Sequence, residues 1–500
     1  MGGERVGRQV GSRQKTDGVV ARSFAFNRRV VIKNIVLSIL CCLTIGTFNV
    51  YPQTEPANRT TQDIVVEREF DDAVNLHVGE FSRVVVARAA LPQTDARIFS
   101  FEKNLPRLSA AAIAKLLQER FSQRTAILFY NYEEKDGLRA WVVDSQGIEG
   151  FSRLNADLPQ IQRTIGALRD SLGIKDGQKG RAPERREPEN GSAASSGAAS
   201  HHAHQPRPNA DQAVANLTSL LLPPTISKAL AKTESLIVVP VLQIGLVPFA
   251  VLRPFGAKDM LVDHMSVSFA PSLFDLAAEK PEPWSANFSQ PLIVGNPIYT
   301  QKSDWVINPL PGSEKEAIAV AQMLHADPLI GPAATKKAVL AKVVDADLLY
   351  FATHGVADNH HARNNSFIVF GPSGNDFGFW TMAEILDDHQ KWGIIAGKQP
   401  KVPLKARLAV LSACQSGNGE AWKGGVLSLG RSMQASGVPR VVMSLWNVND
   451  EATNSLMQSF VSYLQKDLPS EALRKAMLDT REKYPSPAHW ASFVYFGLPD

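Results

Sequence analysis

The sequence predicts an α/β protein whose main body is a mostly parallel sheet with helices on both faces. Three observations predict it. From Asp211 onward, wholly apolar runs recur: SLIVVPV (235–241), PLIVGNP (291–297), DLLYFA (347–352), RLAVLS (407–412) and RVVMS (440–444). Such runs do not alternate with polar residues as a half-solvated strand does, and strands buried on both faces read this way. Between them lie helical patterns, SEKEAIAVAQMLH (313–325), GVLSLGRSMQASG (425–437) and DEATNSLMQSFVSYLQ (450–465), and that alternation is the mark of helix-covered parallel sheets. Finally, 500 residues at 44% hydrophobic composition can bury large cores, and the chain shows no internal repeat that would point to a solenoid.

The upstream half divides by composition. SAAAIAKLLQERF (109–121) and LPQIQRTIGALRDSL (158–172) have helical spacing, and AILFYNYEEKDGLRAWVVD (126–144) reads as two strands around a turn at Asp136-Gly137. Residues 53–176 are therefore expected to form a small mixed α/β domain. Residues 177–210 lack aliphatic anchors and are rich in Gly, Ser, Ala, Pro and charge, so a disordered linker is expected there, followed by a domain over 211–500.

Charge and cysteine content exclude several functions. Lys plus Arg (53) nearly balances Asp plus Glu (49), and a net charge of +4 gives no strong field for nucleic acid. Of three cysteines, Cys41 and Cys42 sit in an N-terminal apolar run and Cys414 is alone in the folded body, so no disulfide framework or multi-cysteine metal site is expected. His201, His202 and His204 fall in the linker without acidic or thiol partners, and no metal or other cofactor is expected.

Residues 1–52 form a basic N-terminus with an apolar segment. Arg5, Arg8, Arg13, Lys15, Arg22, Arg28, Arg29 and Lys33 precede IVLSILCCLTIGTFNV, Ile35–Val50, whose 16 residues fall between a signal-peptide core and a membrane span of ~20 residues. Either a signal peptide or an uncleaved inner-membrane anchor fits, and both place the remainder of the chain outside the cytoplasm.

Two of the expected strands end in reactive residues. LLYFA (348–352) leads into Thr353-His354-Gly355, and LAVLS (408–412) leads into Ala413-Cys414-Gln415-Ser416-Gly417. In an open α/β sheet, functional groups gather where strands end at their carboxyl edge, so adjacent parallel strands would bring imidazole and thiol to one edge. The histidine comes first and the cysteine follows 60 positions later, the order of caspase-like peptidases.

With LPGSEKEA (310–317), ATKKAVL (334–340), DLLYFATHG (347–355), LSACQSG (411–417), SLWNVNDEAT (444–453) and HWASFVYFG (489–497), residues 211–500 resemble a CHAT domain. This is a caspase-like module of the clan that holds separases, gingipains and metacaspases. The resemblance implies a caspase-like fold and a cysteine endopeptidase acting on protein or peptide substrates. Cys414 would be the nucleophile and His354 its partner, with the backbone amides of Gly355 and Cys414 stabilising the oxyanion. It also implies that SLWNVND contributes to the substrate crevice, with Asp450, Asn447 and Trp446 as pocket candidates and a preference for cleavage after basic residues. Asp450 equally fits an N-cap of the helix that follows. A catalytically quiet interaction module of the same fold is the alternative, and acyl transfer through the same thiol would use the same groups. The chain departs from the family pattern at Lys423-Gly424-Gly425-Val426, where CHAT sequences often carry Gly-Glu-Gly-Val.

Overall fold

A computed structural model of the chain describes residues 60–87, 107–174, 184–185, 209–270, 272–273, 276, 283–300, 303–389, 403–413, 416–422, 425–447 and 449–499. Gln62–Asp500 make one compact unit. Its centre is an 11-stranded sheet. Three strands come from the upstream region: β1 (Thr125–Glu133), β2 (Gly137–Asp144) and β3 (Gly147–Leu154). The others are β4 (Ser235–Val239), β5 (Ser266–Phe269), β6 (Pro291–Pro297), β7 (Leu329–Gly331), β8 (Leu348–Ala352), β12 (Leu408–Ser412), β15 (Val441–Ser444) and β16 (Phe493–Phe496). Their order is β3-β2-β1-β4-β5-β16-β15-β12-β8-β6-β7. Neighbours are parallel except at β3–β2, β2–β1 and β15–β16, which confirms a mixed α/β fold with a largely parallel sheet.

The region expected to be a separate small domain shares this sheet. β1 runs parallel to β4 in the register Ile127↔Ile237 and Phe129↔Val239. Successive side chains of a strand point to opposite faces, and here the two faces feed two cores. Ile127, Phe129, Trp141, Val143, Ile237 and Val239 pack under helices α1 (Thr61–Ala87) and α2 (Ala110–Arg120). On the other face, Leu128, Tyr130, Val142, Leu236 and Val238 pack under α3 (Leu158–Ser171), α4 (Ala210–Leu221) and α5 (Pro224–Leu230), in a core that continues as far as Phe496. The compositional break at 177–210 interrupts the chain but not the sheet, because a parallel pair needs a long crossover in any case and the entropic cost of lengthening it grows only slowly.

Local signals explain the upstream elements. Ser109 caps α2 by accepting from Ala112 N, and Asp157 caps α3 by accepting from Gln160 N. Gly137 takes φ +70°, which a glycine adopts without penalty where the chain reverses between β1 and β2. Helix α1 had no counterpart in the sequence reading. Its buried Phe70, Ala73, Val74 and His77 follow helical spacing, but the stripe is short and further apolar residues such as Ile64, Val65 and Leu76 are exposed, which blurs the amphipathic pattern.

In the downstream half, α6 (Pro311–Met323), α7 (Lys336–Leu340), α8 (Met382–His389), α9 (Leu429–Ala435), α10 (Asp450–Leu464) and α11 (Pro469–Lys483) accompany the strands. The stretch 425–437 is not one helix. It splits into strand β14 (Gly425–Ser428), paired with β13 (Gly419–Trp422), and α9, at Ser428, whose hydroxyl accepts from Arg431 N and caps the helix. A small antiparallel sheet, β9 (Gly355–Val356), β10 (Phe367–Val369) and β11 (Phe379–Thr381), follows β8.

Within the stretch expected to be a disordered linker, Glu184–Arg185 pair antiparallel with Trp305–Val306. The apolar segment 35–50 lies outside the described residues, as do His201, His202 and His204. Among the described residues no helix is long and apolar enough to cross a membrane. Nor does any group of three or more His, Cys, Asp or Glu among them lie where it could hold a metal ion.

Candidate active site

Strand pairing sets the site. β8 and β12 are adjacent and parallel, with Leu348↔Leu408 at one end and Ala352↔Ser412 at the other. His354 follows Ala352 by two residues, and Cys414 follows Ser412 by two. The two loops therefore leave the sheet at the same edge, from strands about 4.8 Å apart. Cys414 itself lies outside the described residues, together with Gln415.

His354 is held on several sides. It is 1% exposed. Its Nε2 is 2.7 Å from the backbone carbonyl oxygen of Asn308. A carbonyl can only accept, so Nε2 carries the proton and, in the neutral ring, Nδ1 keeps the lone pair. The Tyr299 ring packs edge-on against the imidazole at 4.8 Å between centroids. Thr353 Oγ1 donates to Val369 O at 2.6 Å and lies 3.2 Å from the Tyr299 hydroxyl, which ties the turn after β8 to β10.

The small sheet leaves the Gly355 amide available. Val369 N donates to the His354 carbonyl at 3.0 Å, and Gly355 sits opposite Ile368. Bonded and non-bonded pairs alternate along an antiparallel ladder, so Gly355–Ile368 is a non-bonded pair and the Gly355 N–H turns away from β10. An amide in that position can donate to an anion that forms beside the histidine.

The Cys414 loop is clamped at both ends to β15. Ser444 Oγ donates to Ala413 O at 2.5 Å, Ser444 N donates to Ser416 Oγ at 3.0 Å, and Gly417 N donates to Ser444 O at 2.8 Å. Ser416 Oγ in turn donates back to Leu411 O at 3.1 Å. Ser416 and Ser444 are both fully buried. The motif LSACQSG thus carries, besides its cysteine, a serine that closes the turn on itself.

The SLWNVND residues are dispersed by their environments. Trp446 is 1% exposed and its Nε1 donates to Ala488 O at 2.9 Å, so it is a packed residue that presents no surface to a substrate. Asn447 is half-buried in the turn after β15. The cap of α10 is Asn449, whose Oδ1 accepts from Glu451 N and Ala452 N, and Asp450 is the first helical residue. Asp450 is half-buried against the start of α6, where a Cβ added at Gly312 would come within 2.7 Å of it. Sequence reasoning missed Asn308, Tyr299, Ser416 and Ser444 as contributors to the site. None carries a chemical signature of its own, and only the adjacency of LSACQSG and SLWNVND to the reactive residues hinted at the two serines.

A cleft of about 480 Å³ is lined in part by Asn296, Ile307, Pro309, Glu314 and Tyr299, the residue whose ring packs on His354. Asn296 organises its floor: Oδ1 accepts from Leu310 N at 2.7 Å, and Nδ2 donates to Glu314 Oε2 at 2.8 Å.

Residues 211–498 match the family model of the CHAT domain. The chain belongs to the CHAT domain family. The match starts in α4 and runs past β16, so β1–β3 extend the CHAT sheet from upstream of it. Among curated proteins, the chain is similar to tetratricopeptide repeat protein 28 of Homo sapiens, 28% identical over 291 residues that make up 51% of this chain, and to the Mus musculus protein, 26% identical over 281 residues. It spans 12% of the length of each. Among solved structures it is similar to the Saccharomyces cerevisiae separase–securin complex, with TM-score 0.49, 11% identity and coverage of 88% of this chain and 34% of that one. It is also similar to the Arg-specific cysteine proteinase gingipain R, with TM-score 0.37, 10% identity and coverage of 58% and 67%.

Proposed function

We propose that the chain is a cysteine endopeptidase in which Cys414 attacks a peptide carbonyl and His354 transfers the protons. The observation that carries this reading is the β8–β12 register. It brings the His354 loop and the Cys414 loop to one edge, beside a Gly355 amide that its own hairpin does not use. The thiol would deliver its proton to Nδ1, the ring nitrogen that Asn308 leaves with a lone pair. The thiolate adds to the carbonyl carbon, and the oxygen takes the electron pair and is held by the Gly355 and Cys414 amides. The tetrahedral species collapses to a thioester as His354 protonates the departing amine, and water then hydrolyses the thioester.

Cleavage after basic residues is part of the proposal. Asp450 and Glu314 stand on the first turns of α10 and α6, two helices that pack together at this edge, and Asn449 relieves Asp450 of capping the helix. Carboxylates so placed suit an arginine or lysine side chain.

The test compares purified wild type, Cys414→Ala and His354→Ala on a peptide library with mass-spectrometric readout. Cleavage by wild type alone, concentrated after Arg and Lys and shifted away from them by Asp450→Ala, is expected. Equal cleavage by wild type and Cys414→Ala would remove the peptidase reading. The near-complete burial of His354 favours a second reading, a catalytically quiet binding module, and that module would show no cleavage in any of the three.

A further inference from the structure

The pairing of Glu184–Arg185 with Trp305–Val306 joins a segment of unfolding composition to the rim of the candidate site. Trp305–Val306 begins a short run that ends at the histidine. The Trp305 ring packs edge-on against Phe367 at 5.5 Å, Ile307 is buried with Tyr299, Phe367 and Val369, and Asn308 supplies the carbonyl that receives His354 Nε2. The edge that takes up residues 184–185 therefore stands two residues from Asn308, roughly 7 Å of extended chain. The same run lines the 480 Å³ cleft through Ile307 and Pro309, with Glu314 as its carboxylate.

An open strand edge recruits extended peptide through main-chain hydrogen bonds, and neighbouring pockets read the side chains. The sequence around the bound dipeptide, RAPERRE (181–187), supplies Arg181, Arg185 and Arg186, a charge that complements a cleft containing Glu314. Tethering raises its local concentration far above that of a free peptide.

We propose that the outer edge of Trp305–Val306 is a strand-addition site for an extended, arginine-containing peptide, and that the chain fills it with its own Glu184–Arg185. The site's existence is independent of the chemistry. Its consequence rests on the peptidase reading: the linker competes with substrate at the mouth of the active site, and removing it opens the enzyme.

Two arms test this on the full-length chain. In the Cys414→Ala background, where no self-cleavage confuses the result, amide hydrogen exchange is followed across Trp305–Asn308 with and without the double change Glu184→Pro and Arg185→Pro. Proline removes the amide donors, and loss of one or two such bonds should speed exchange there about tenfold. A synthetic peptide of residues 180–190, added to the proline variant, should slow it again. Unchanged exchange in the variant, or no effect of the peptide, would overturn the proposal. In the Cys414-containing protein, the proline variant should lower the KM for a basic peptide with kcat little changed, and an unaltered KM would remove the competitive role. Exchange changes without any cleavage would leave the strand-addition site standing and the peptidase reading refuted.

Discussion

His354 Nε2 meets the Asn308 carbonyl oxygen at 2.7 Å, and this contact fixes which nitrogen of the ring carries the proton. Asn308 is 46 residues upstream and belongs to the run between β6 and α6. A backbone carbonyl does this work without any demand on the side chain at its position, which is why position 308 bears no signature. The prediction is that His354→Gln lowers kcat/KM for peptide cleavage by at least ~10²-fold, the scale of a lost acid–base group. Thermal unfolding measured alongside separates this from misfolding: a preserved midpoint with retained activity would show that the ring is not the acid–base group.

Ser444 is a second test of the site's architecture. Its hydroxyl donates to Ala413 O in a fully buried setting, so Ser444→Ala leaves a buried carbonyl without that donor. An unsatisfied buried group costs about 1–3 kcal/mol. Urea unfolding should show that loss, and the rate of Cys414 alkylation should change as its loop loosens. A variant with unaltered stability and unaltered alkylation would show that the clamp does not hold the loop.

Gly312 is where α6 and α10 come closest to the pocket candidate. A Cβ there would lie 2.7 Å from Asp450 Cβ, Cγ and Oδ2. Gly312→Ala should therefore push the two helix starts apart and destabilise by about 1–3 kcal/mol, the range of overpacking. If Asp450 reads basic side chains, selectivity for Arg over Ala should fall in the same variant. Gly312→Ala combined with Asp450→Ala removes the clashes with Cγ and Oδ2 but keeps the one with Cβ, so it should regain only part of the stability and none of the selectivity, as measured by denaturant midpoints and paired substrates.

Asp358 predicts a pH dependence. Its carboxylate accepts from Asn365 Nδ2 at 2.9 Å and from the amides of His361 at 2.7 Å and His360 at 2.8 Å, just beyond the small sheet that bears Gly355. The Asn365 bond first, then the two amides, hold its pKa below the usual 3.8, at about 2. A depressed carboxylate stabilises the fold above its unfolded pKa and loses that contribution as pH falls through the folded value. Wild type should therefore unfold at higher temperature than Asp358→Asn at pH 5 and above, with the gap closing between about pH 4 and pH 2. A gap constant across that range would show that the carboxylate charge is not what orders this loop.

The parallel sheet was legible because strands buried on both faces leave wholly apolar runs. SLIVV, PLIVGNP, LLYFA, LAVLS and VVMS all became strands, and the ends of LLYFA and LAVLS pointed to His354 and to the position of Cys414. What the sequence reading divided, the structure joined. Residues 53–176 and 211–500 read as separate domains because a polar stretch lies between them, yet β1 and β4 pair across it, since backbone hydrogen bonds carry no trace in side-chain composition. Trp446 illustrates a choice between crevice and core that the sequence leaves open. Its motif associates it with the crevice, but the indole is buried and donates to Ala488, a partner 42 residues away.

Local chemistry therefore determined by itself the strand and helix periodicities, the caps at Ser109 and Asp157, and the presence of one cysteine and one histidine at strand ends. Tertiary structure decided which strands are neighbours, which histidine nitrogen carries the proton, and that Ser444 holds the carbonyl of Ala413, next to Cys414. It also decided that Glu184–Arg185 lie against Trp305–Val306. Each of these depends on main-chain groups far apart in sequence, and every residue type offers the same amide and carbonyl. Their pairing is set only when the sheet assembles.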